Sequence, residues 1–358
     1  MSKFVLSGYR KLSLLALVSA LAFLISGCSV SSLSEKIFGK SNAEAKLPAE
    51  FVHIDQQAVD AAITSMIRDA KKSIWVEQYE LDRKDLLDLL VSKAKQGVEV
   101  KVLLDQSPKS AKATYDYLKG NSVGVQYYPT QKGQFDKVKL LAIDSSRALI
   151  AGNDWATSAS INHDAALELN GKSAWKTAWV FARDWKFATT IDLNLAETSL
   201  PDDNVLLSTN ANIQSQVTTQ MQGVKNSIQI ELNQFTFPAE LINLLADAAA
   251  GGKKVQVILD SAQQKTNQST IDKLKSSGAQ VRQYPADDKH KLAAHFALFD
   301  DRVTILGSAN WTRSSFVQNH ELAVTVPSKA ITAKLAAVFN ADWEKSKEVE
   351  KPAPKPTK

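Results

Sequence analysis

One α/β pattern is written twice along this chain, and the repetition restricts the fold more than any other feature. Ala70-Lys-Lys-Ser-Ile-Trp-Val-Glu-Gln-Tyr79 answers to Val224-Lys-Asn-Ser-Ile-Gln-Ile-Glu-Leu-Asn233, and each reads as a short strand. Helical-period segments follow, Lys84 to Lys95 and Ala239 to Ala250. Next, Gly97-Val-Glu-Val-Lys-Val-Leu-Leu-Asp105 answers to Gly252-Lys-Lys-Val-Gln-Val-Ile-Leu-Asp260. In both, glycine ends a helix and an apolar run predicts a buried strand. The match resumes at Val123-Gly-Val-Gln-Tyr-Tyr128 and Ala279-Gln-Val-Arg-Gln-Tyr284. It closes at Phe181-Ala-Arg-Asp-Trp185 and Phe339-Asn-Ala-Asp-Trp343, whose tryptophans read as core residues. Strands alternating with helices predict α/β layers with largely parallel pairing, built as two halves.

The ends of the chain have a different character. Basic Lys3, Arg10 and Lys11 precede the apolar run Leu12 to Ile25, which is short for a membrane span and carries the pattern of a secretory signal. Ile25-Ser26-Gly27-Cys28 then resembles a bacterial lipobox, which implies cleavage before Cys28 and its lipidation. Cys28 is the only cysteine, so no internal disulfide competes for it. The expected organisation is a signal peptide over 1–27, a tether over 28–48, a first half over 49–200, a second half over 201–345 and a Lys/Pro-rich tail over 346–358. Two or more acyl chains anchor stably. The expected location is therefore the bacterial cell envelope, at the outer membrane where there are two. Removing Lys3, Arg10 and Lys11 takes the 43 basic residues to 40 against 38 acidic ones. A nearly neutral mature chain argues against nucleic acid as partner, and any phosphate chemistry must come from a local site.

Chemistry-bearing residues cluster after the third strand of each half. The first cluster reads Lys137-Val-Lys139-Leu-Leu-Ala-Ile-Asp144, Ala151-Gly-Asn-Asp-Trp155 and Asn162-His-Asp164. The second reads Ala293-Ala-His295-Phe-Ala-Leu-Phe-Asp300, Gly307-Ser-Ala-Asn-Trp311 and Asn319-His-Glu321. This arrangement resembles the phospholipase D superfamily, which carries H-x-K-x4-D, G-S-x-N and N-x-E once per half. The resemblance runs from about Phe51 to Trp343. It implies two tandem α/β/α halves related by a pseudo-two-fold axis, with both motifs lining one cleft. It also implies phosphodiester chemistry in which one histidine attacks and the other protonates the leaving oxygen. Lysines, serines and asparagines hold the phosphate, and neither metal nor cofactor is needed.

The chain departs from that pattern at both histidine positions, which hold Lys137 and Ala293. Ala293 can neither attack nor donate a proton, and a lysine is ordinarily protonated. Lys139 keeps its slot, whereas His295 replaces the second lysine. Lys137, Lys139, His295, Ser308 and Asn310 are the expected phosphate-binding residues. Among them His295, Lys139 and Lys137 are the candidates for any surviving catalysis. Asp144, Asp300 and Glu321 are supporting residues, the two aspartates read as turn-closing. His163 and His320 neighbour the motif carboxylates on a strand and are expected to face away from the cleft. His290 lies three residues before the empty slot, and His53 has no evident link to the cleft. Three readings stay open. The leading one is a membrane-anchored, catalytically degenerate binder of a phosphate-bearing ligand or a protein partner. The others are a divergent metal-independent phosphodiesterase acting on phospholipid, and a structural or inhibitory surface protein.

Overall fold

The structure, a computed structural model, describes residues 43–349 except residue 288. The expected signal peptide, Cys28 and most of the expected tether and tail lie outside the described residues. Those from Glu44 onward belong to one compact unit.

The first sheet contains β1 (Val52–Ile54), β2 (Ser73–Gln78), β3 (Glu99–Leu104), β4 (Gly124–Tyr127), β5 (Lys139–Ile143), β6 (Arg147–Ala151) and β7 (Ala165–Asn170). Its order is β1-β7-β6-β5-β2-β3-β4. The second contains β8 (Leu206–Thr209), β9 (Ser227–Leu232), β10 (Lys254–Asp260), β11 (Gln280–Tyr284), β12 (Phe296–Phe299), β13 (Val303–Gly307), β14 (Leu322–Pro327) and β15 (Lys347–Glu348). Its order, β15-β11-β10-β9-β12-β13-β14-β8, repeats the first strand for strand once β15 is set aside. The two tandem α/β halves expected from the repeat are present.

Pairing is less parallel than the alternation predicts. Only β2–β3–β4 and β9–β10–β11 run parallel, and the remaining ladders are antiparallel. The reason is local. Helices separate the parallel strands, whereas β5–β6 and β12–β13 are joined by tight turns. Asp144–Ser145 and Asp300–Asp301 occupy these turns with φ near +50° (52°, 54°, 51° and 52°). Two successive left-handed residues suit a hairpin, and aspartate tolerates that conformation. The Asp144 carboxylate accepts the backbone N–H groups of Lys71, Lys72 and Ser73, and Asp300 those of Lys225, Asn226 and Ser227. Both aspartates thus fasten a hairpin to the start of a parallel strand, at the end of β5 or β12 away from the motif residues.

Outer helices cover one face of each sheet. In the helix Asp55–Asp69, Val59, Ile63, Met66 and Ile67 fall on one stripe and are buried with Val76, Val102 and Leu141. The opposite faces share one core with the helices Gly171–Thr189 and Lys329–Lys345. Trp75, Leu167 and Phe181 of the first half belong to it, as do Phe296, Leu322 and Phe339 of the second. The repeat's aromatic pairs stack there, Phe181 on Trp185 at 6.0 Å and Phe339 on Trp343 at 5.7 Å. A core drawn from both halves joins them into one body.

Packing extends past the boundaries expected from composition. Ala45 and Leu47, placed in the tether, are buried, and the Ala45 N–H bonds Pro327 O at 2.7 Å. Lys347 and Glu348, placed in the tail, add a short antiparallel strand to β11, and Val349 is buried beyond it. Edge strands offer free backbone groups to any neighbouring segment, whether or not its sequence is periodic.

Candidate phosphate-binding site

Strands β5 and β12 leave the motif residues facing each other between the halves. Lys137, Lys139, His295, Ser308, Asn310 and Glu321 all line one cavity of about 320 Å³. The convergence expected of residues so distant in sequence is therefore present.

Each group has a distinct environment. Lys139 is 4% exposed; its ammonium donates to Lys137 O at 2.8 Å and pairs with Asp154 at 3.1 Å. Asp154 stands in the first G-S-x-N asparagine slot, so one lysine's charge is already matched. Lys137 is anchored through its backbone N–H to His320 O (2.7 Å), and its ammonium lies 2.9 Å above the Tyr79 ring centroid. It makes no ion pair among the described residues. Burial, with Lys139 second, pulls its pKa down to about 8. It is the cation with charge to offer.

Opposite these lysines, His295 is 8% exposed and neither ring nitrogen has a hydrogen-bond partner among the described residues. Burial and the Lys139 charge push its pKa down to about 3, so the imidazole is neutral at any ordinary pH. The second half keeps its polar frame. Ser308 Oγ donates to Glu321 at 2.5 Å and accepts from the Leu322 N–H at 3.1 Å, while Asn310 Oδ1 accepts the Gln234 N–H at 2.8 Å. Burial raises the Glu321 pKa against the hydrogen bond from Ser308. Gly307 must be glycine here, because a Cβ on it would lie 2.2 Å from Leu322 O.

The first half has closed where its partner stays open. A Cβ on Gly152, in the slot where the family places serine, would lie 2.0 Å from Ala293 O. The Ala293–Ala294 backbone is held there by N–H bonds to His163 O at 2.8 and 2.9 Å. The Ala293 carbonyl thus fills the space that a serine side chain at position 152 would need. Restoring the serine by Gly152→Ser is expected to destabilise the protein by about 1–3 kcal/mol, as overpacking does. Chemical denaturation checks it; unchanged stability would show that the Ala293 segment yields freely.

The other histidines lie outside this cavity, His163 and His320 as strand parity predicts. His290 is an exposed residue bonded to Asp287 and lines a separate cavity of about 460 Å³. His53 sits 3.7 Å from Glu168. His163 and His320 are buried in two matching nodes between the halves. His163 Nδ1 meets Asp55 at 2.5 Å and Nε2 meets Asp342 at 2.8 Å, with Glu231 at 3.5 Å. Its ring stacks on Tyr284 at 5.2 Å. His320 Nδ1 meets Asn210 and Nε2 meets Asp184, both at 2.9 Å, with Glu77 at 3.7 Å and Tyr128 stacked at 4.6 Å. Sequence reasoning misses these partners, although the aspartate repeated in Phe-x-x-Asp-Trp was a visible signal.

The family model described as cardiolipin synthase, PLD-like domain, matches residues 63–185 and again 217–343. The chain belongs to this phospholipase D-like family. The tandem match explains why the motif residues converge as they do. A cardiolipin synthase A of Pseudomonas syringae is 24% identical over 335 residues, covering 83% of this chain and 68% of the relative. A mitochondrial cardiolipin hydrolase of Chlamydomonas reinhardtii is 34% identical over 97 residues, covering 26% of this chain and 41% of the hydrolase. The chain therefore spans about two-fifths to two-thirds of the length of these relatives. Among solved structures, phosphatidylserine synthase of Haemophilus influenzae superimposes with a TM-score of 0.70 at 15% identity, covering 90% and 92% of the two chains. That likeness concerns the phospholipase D fold.

Proposed function

We propose that this protein is an envelope-anchored binder of phospholipid headgroups, which holds a phosphodiester in its cleft without cleaving it. The observation that carries this reading is a cleft still lined by Lys137, His295 and Asn310 while Ala293 stands in the second histidine slot and its carbonyl fills the side-chain position of Gly152. Lys137, the Asn310 amide and neutral His295 offer an anion one cation and hydrogen-bond donors, framed by Ser308, whose proton goes to Glu321. The names of the curated relatives refer to cardiolipin, which favours a phospholipid over other phosphodiesters. Calorimetric titration with a short-chain phosphatidylglycerol tests the reading. Saturable one-site binding is expected, weakened in Ser308→Ala; absence of saturable binding would sink it.

Anchoring is part of the same proposal and is supported by the Ile25–Cys28 pattern. No helix among the described residues is long and apolar enough to cross a membrane. Mass spectrometry of the mature protein is expected to show an acylated amino-terminal Cys28, absent in Cys28→Ser. An unmodified Cys28 in a processed chain would contradict it.

One observation favours a second reading, the two unpartnered nitrogens of His295. In a divergent transferase, a His295 nitrogen would attack phosphorus and form an N–P bond. The alcohol oxygen would leave with its electron pair and take a proton from Lys137. An adduct on His295 that survives base and is lost in acid would establish this reading over the first.

A further inference from the structure

The two histidine nodes are related by the repeat but differ in their acids. At the first, His163 lies among three carboxylates at ion-pair distance, Asp55, Asp342 and Glu231, the last two converging on one point with the imidazole. At the second, the neutral Asn210 stands in the place of Asp55, so His320 has an amide behind it. Asp136 stands where the first node has the apolar Leu292. Each has its backbone N–H on a repeat-equivalent aspartate, Asp105 or Asp260. Each imidazole therefore faces three carboxylates, but at the second node the third is the fully buried Asp136, where the first has the exposed Asp55. One atom from each of Glu77, Asp136 and His320 lies within 4.8 Å of the others. Asp184 Oδ2 lies 2.9 Å from the same His320 nitrogen.

Glu77 and Asp136 are both 0% exposed. Both Glu77 oxygens and Asp136 Oδ2 lack a hydrogen-bond partner among the described residues. Buried carboxylates in contact require a cation or protons between them. Arg183 pairs with Asp184 at 2.9 Å, chiefly at its other oxygen. No ion pair joins Arg183 to Glu77 or Asp136 among the described residues.

We propose that Glu77, Asp136 and His320, with Asp184 beside the imidazole, form a site for one divalent transition-metal ion, of the zinc or manganese class, that staples the two halves together. One imidazole and several carboxylate oxygens make a donor set suited to these ions. Ligands about 2.0–2.2 Å from a common ion lie roughly 3 Å from their neighbours, the order of the His320–Asp184 separation. Asn210 accepts the Nδ1 proton, so a bound ion would displace the Nε2 proton that Asp184 accepts, with Nδ1 held as supporting residues hold it in metal sites. Tyr128, stacked on the ring, holds its plane. Glu77, Asp136 and Asp184 come from the first half and His320 from the second, so the ion would tie the halves at the wall of the cleft. Its role would be structural and separate from phosphate chemistry. The competing occupant is a proton shared by Glu77 and Asp136.

The full-length protein is unfolded in guanidinium with a chelator, then refolded with Zn²⁺ or Mn²⁺ and dialysed. Elemental analysis is expected to find one ion per chain, with a raised thermal midpoint and proton release on loading. Glu77→Gln and Asp136→Asn should each lose at least about tenfold in affinity while keeping the far-ultraviolet spectrum of a folded chain. Asn210→Ala should lose roughly ten- to a hundredfold, and Glu231→Gln at the first node should keep the ion. If the wild type retains neither ion and its midpoint ignores metal and chelator alike, the proposal is overturned.

Discussion

Replacing His163 with alanine is expected to lower the free energy of unfolding by about 3–5 kcal/mol, the cost of breaking a buried ion pair from one side. The substitution leaves Asp342 and Glu231, both nearly inaccessible, facing each other with no imidazole between them. Because His163 belongs to the first half and both acids to the second, the loss should fall on the joint between halves. The latch also has a pH signature. Contact with Asp342, Asp55 and Glu231 outweighs burial and pushes the His163 pKa up to about 12. A cation whose folded pKa lies above its unfolded value of about 6.5 stabilises fully below that value. Its contribution is lost as pH rises from there toward 12. Burial raises Glu231 to about 7, and a raised carboxyl likewise stabilises below its unfolded pKa and loses that contribution as pH climbs through 7. Asp55, lowered mainly by its hydrogen bond to His163, acts oppositely and only in acid. Denaturation at pH 5, 7 and 9 should therefore show stability falling with pH in the wild type. A profile that stays flat from pH 5 to 9 would remove the latch from the account.

The second large effect concerns the ligand. Lys137→Ala is expected to weaken phosphatidylglycerol binding roughly ten- to a hundredfold, the loss of a charge-assisted contact of about 1.5–3 kcal/mol. With a pKa near 8, the Lys137 ammonium begins to lose its proton just above neutrality. Wild-type affinity should decline above pH 8. Lys137→Arg should bind without that decline, since a guanidinium stays charged. Titrations across pH 6–10 measure it. A wild-type affinity flat to pH 10 would mean that Lys139 supplies the charge despite its pairing with Asp154.

The repeat made the architecture legible because each half must bury the same apolar faces, and matching runs at Val98–Leu104 and Val255–Leu259 carry that requirement in sequence. Antiparallel pairing was harder to see, since apolar strands read alike in either direction and only the left-handed pairs Asp144–Ser145 and Asp300–Asp301 mark the reversal. The cleft was legible as far as the motif slots go. Lys137, Lys139, His295, Ser308, Asn310 and Glu321 meet where the resemblance implies. What sequence could not show is that Gly152 and Ala293 are neighbours. Read along the chain they are two separate departures from the motif, yet in space a carbonyl of one occupies the side-chain position of the other. The histidine nodes were hidden for the same reason. Parity places His163 and His320 away from the cleft, but Glu231 and Asp342 for the one, and Glu77, Asp136 and Asp184 for the other, come from the opposite half.

The central claim is retention of phosphate binding without cleavage. Its most direct measurement is ³¹P nuclear magnetic resonance of phosphatidylglycerol and cardiolipin in mixed micelles with a stoichiometric amount of the protein, followed over a day. The account predicts headgroup resonances that shift on binding, dependent on Lys137, with no new phosphate ester appearing. Accumulation of a cleaved or transferred phosphate ester, abolished by His295→Ala, would contradict it.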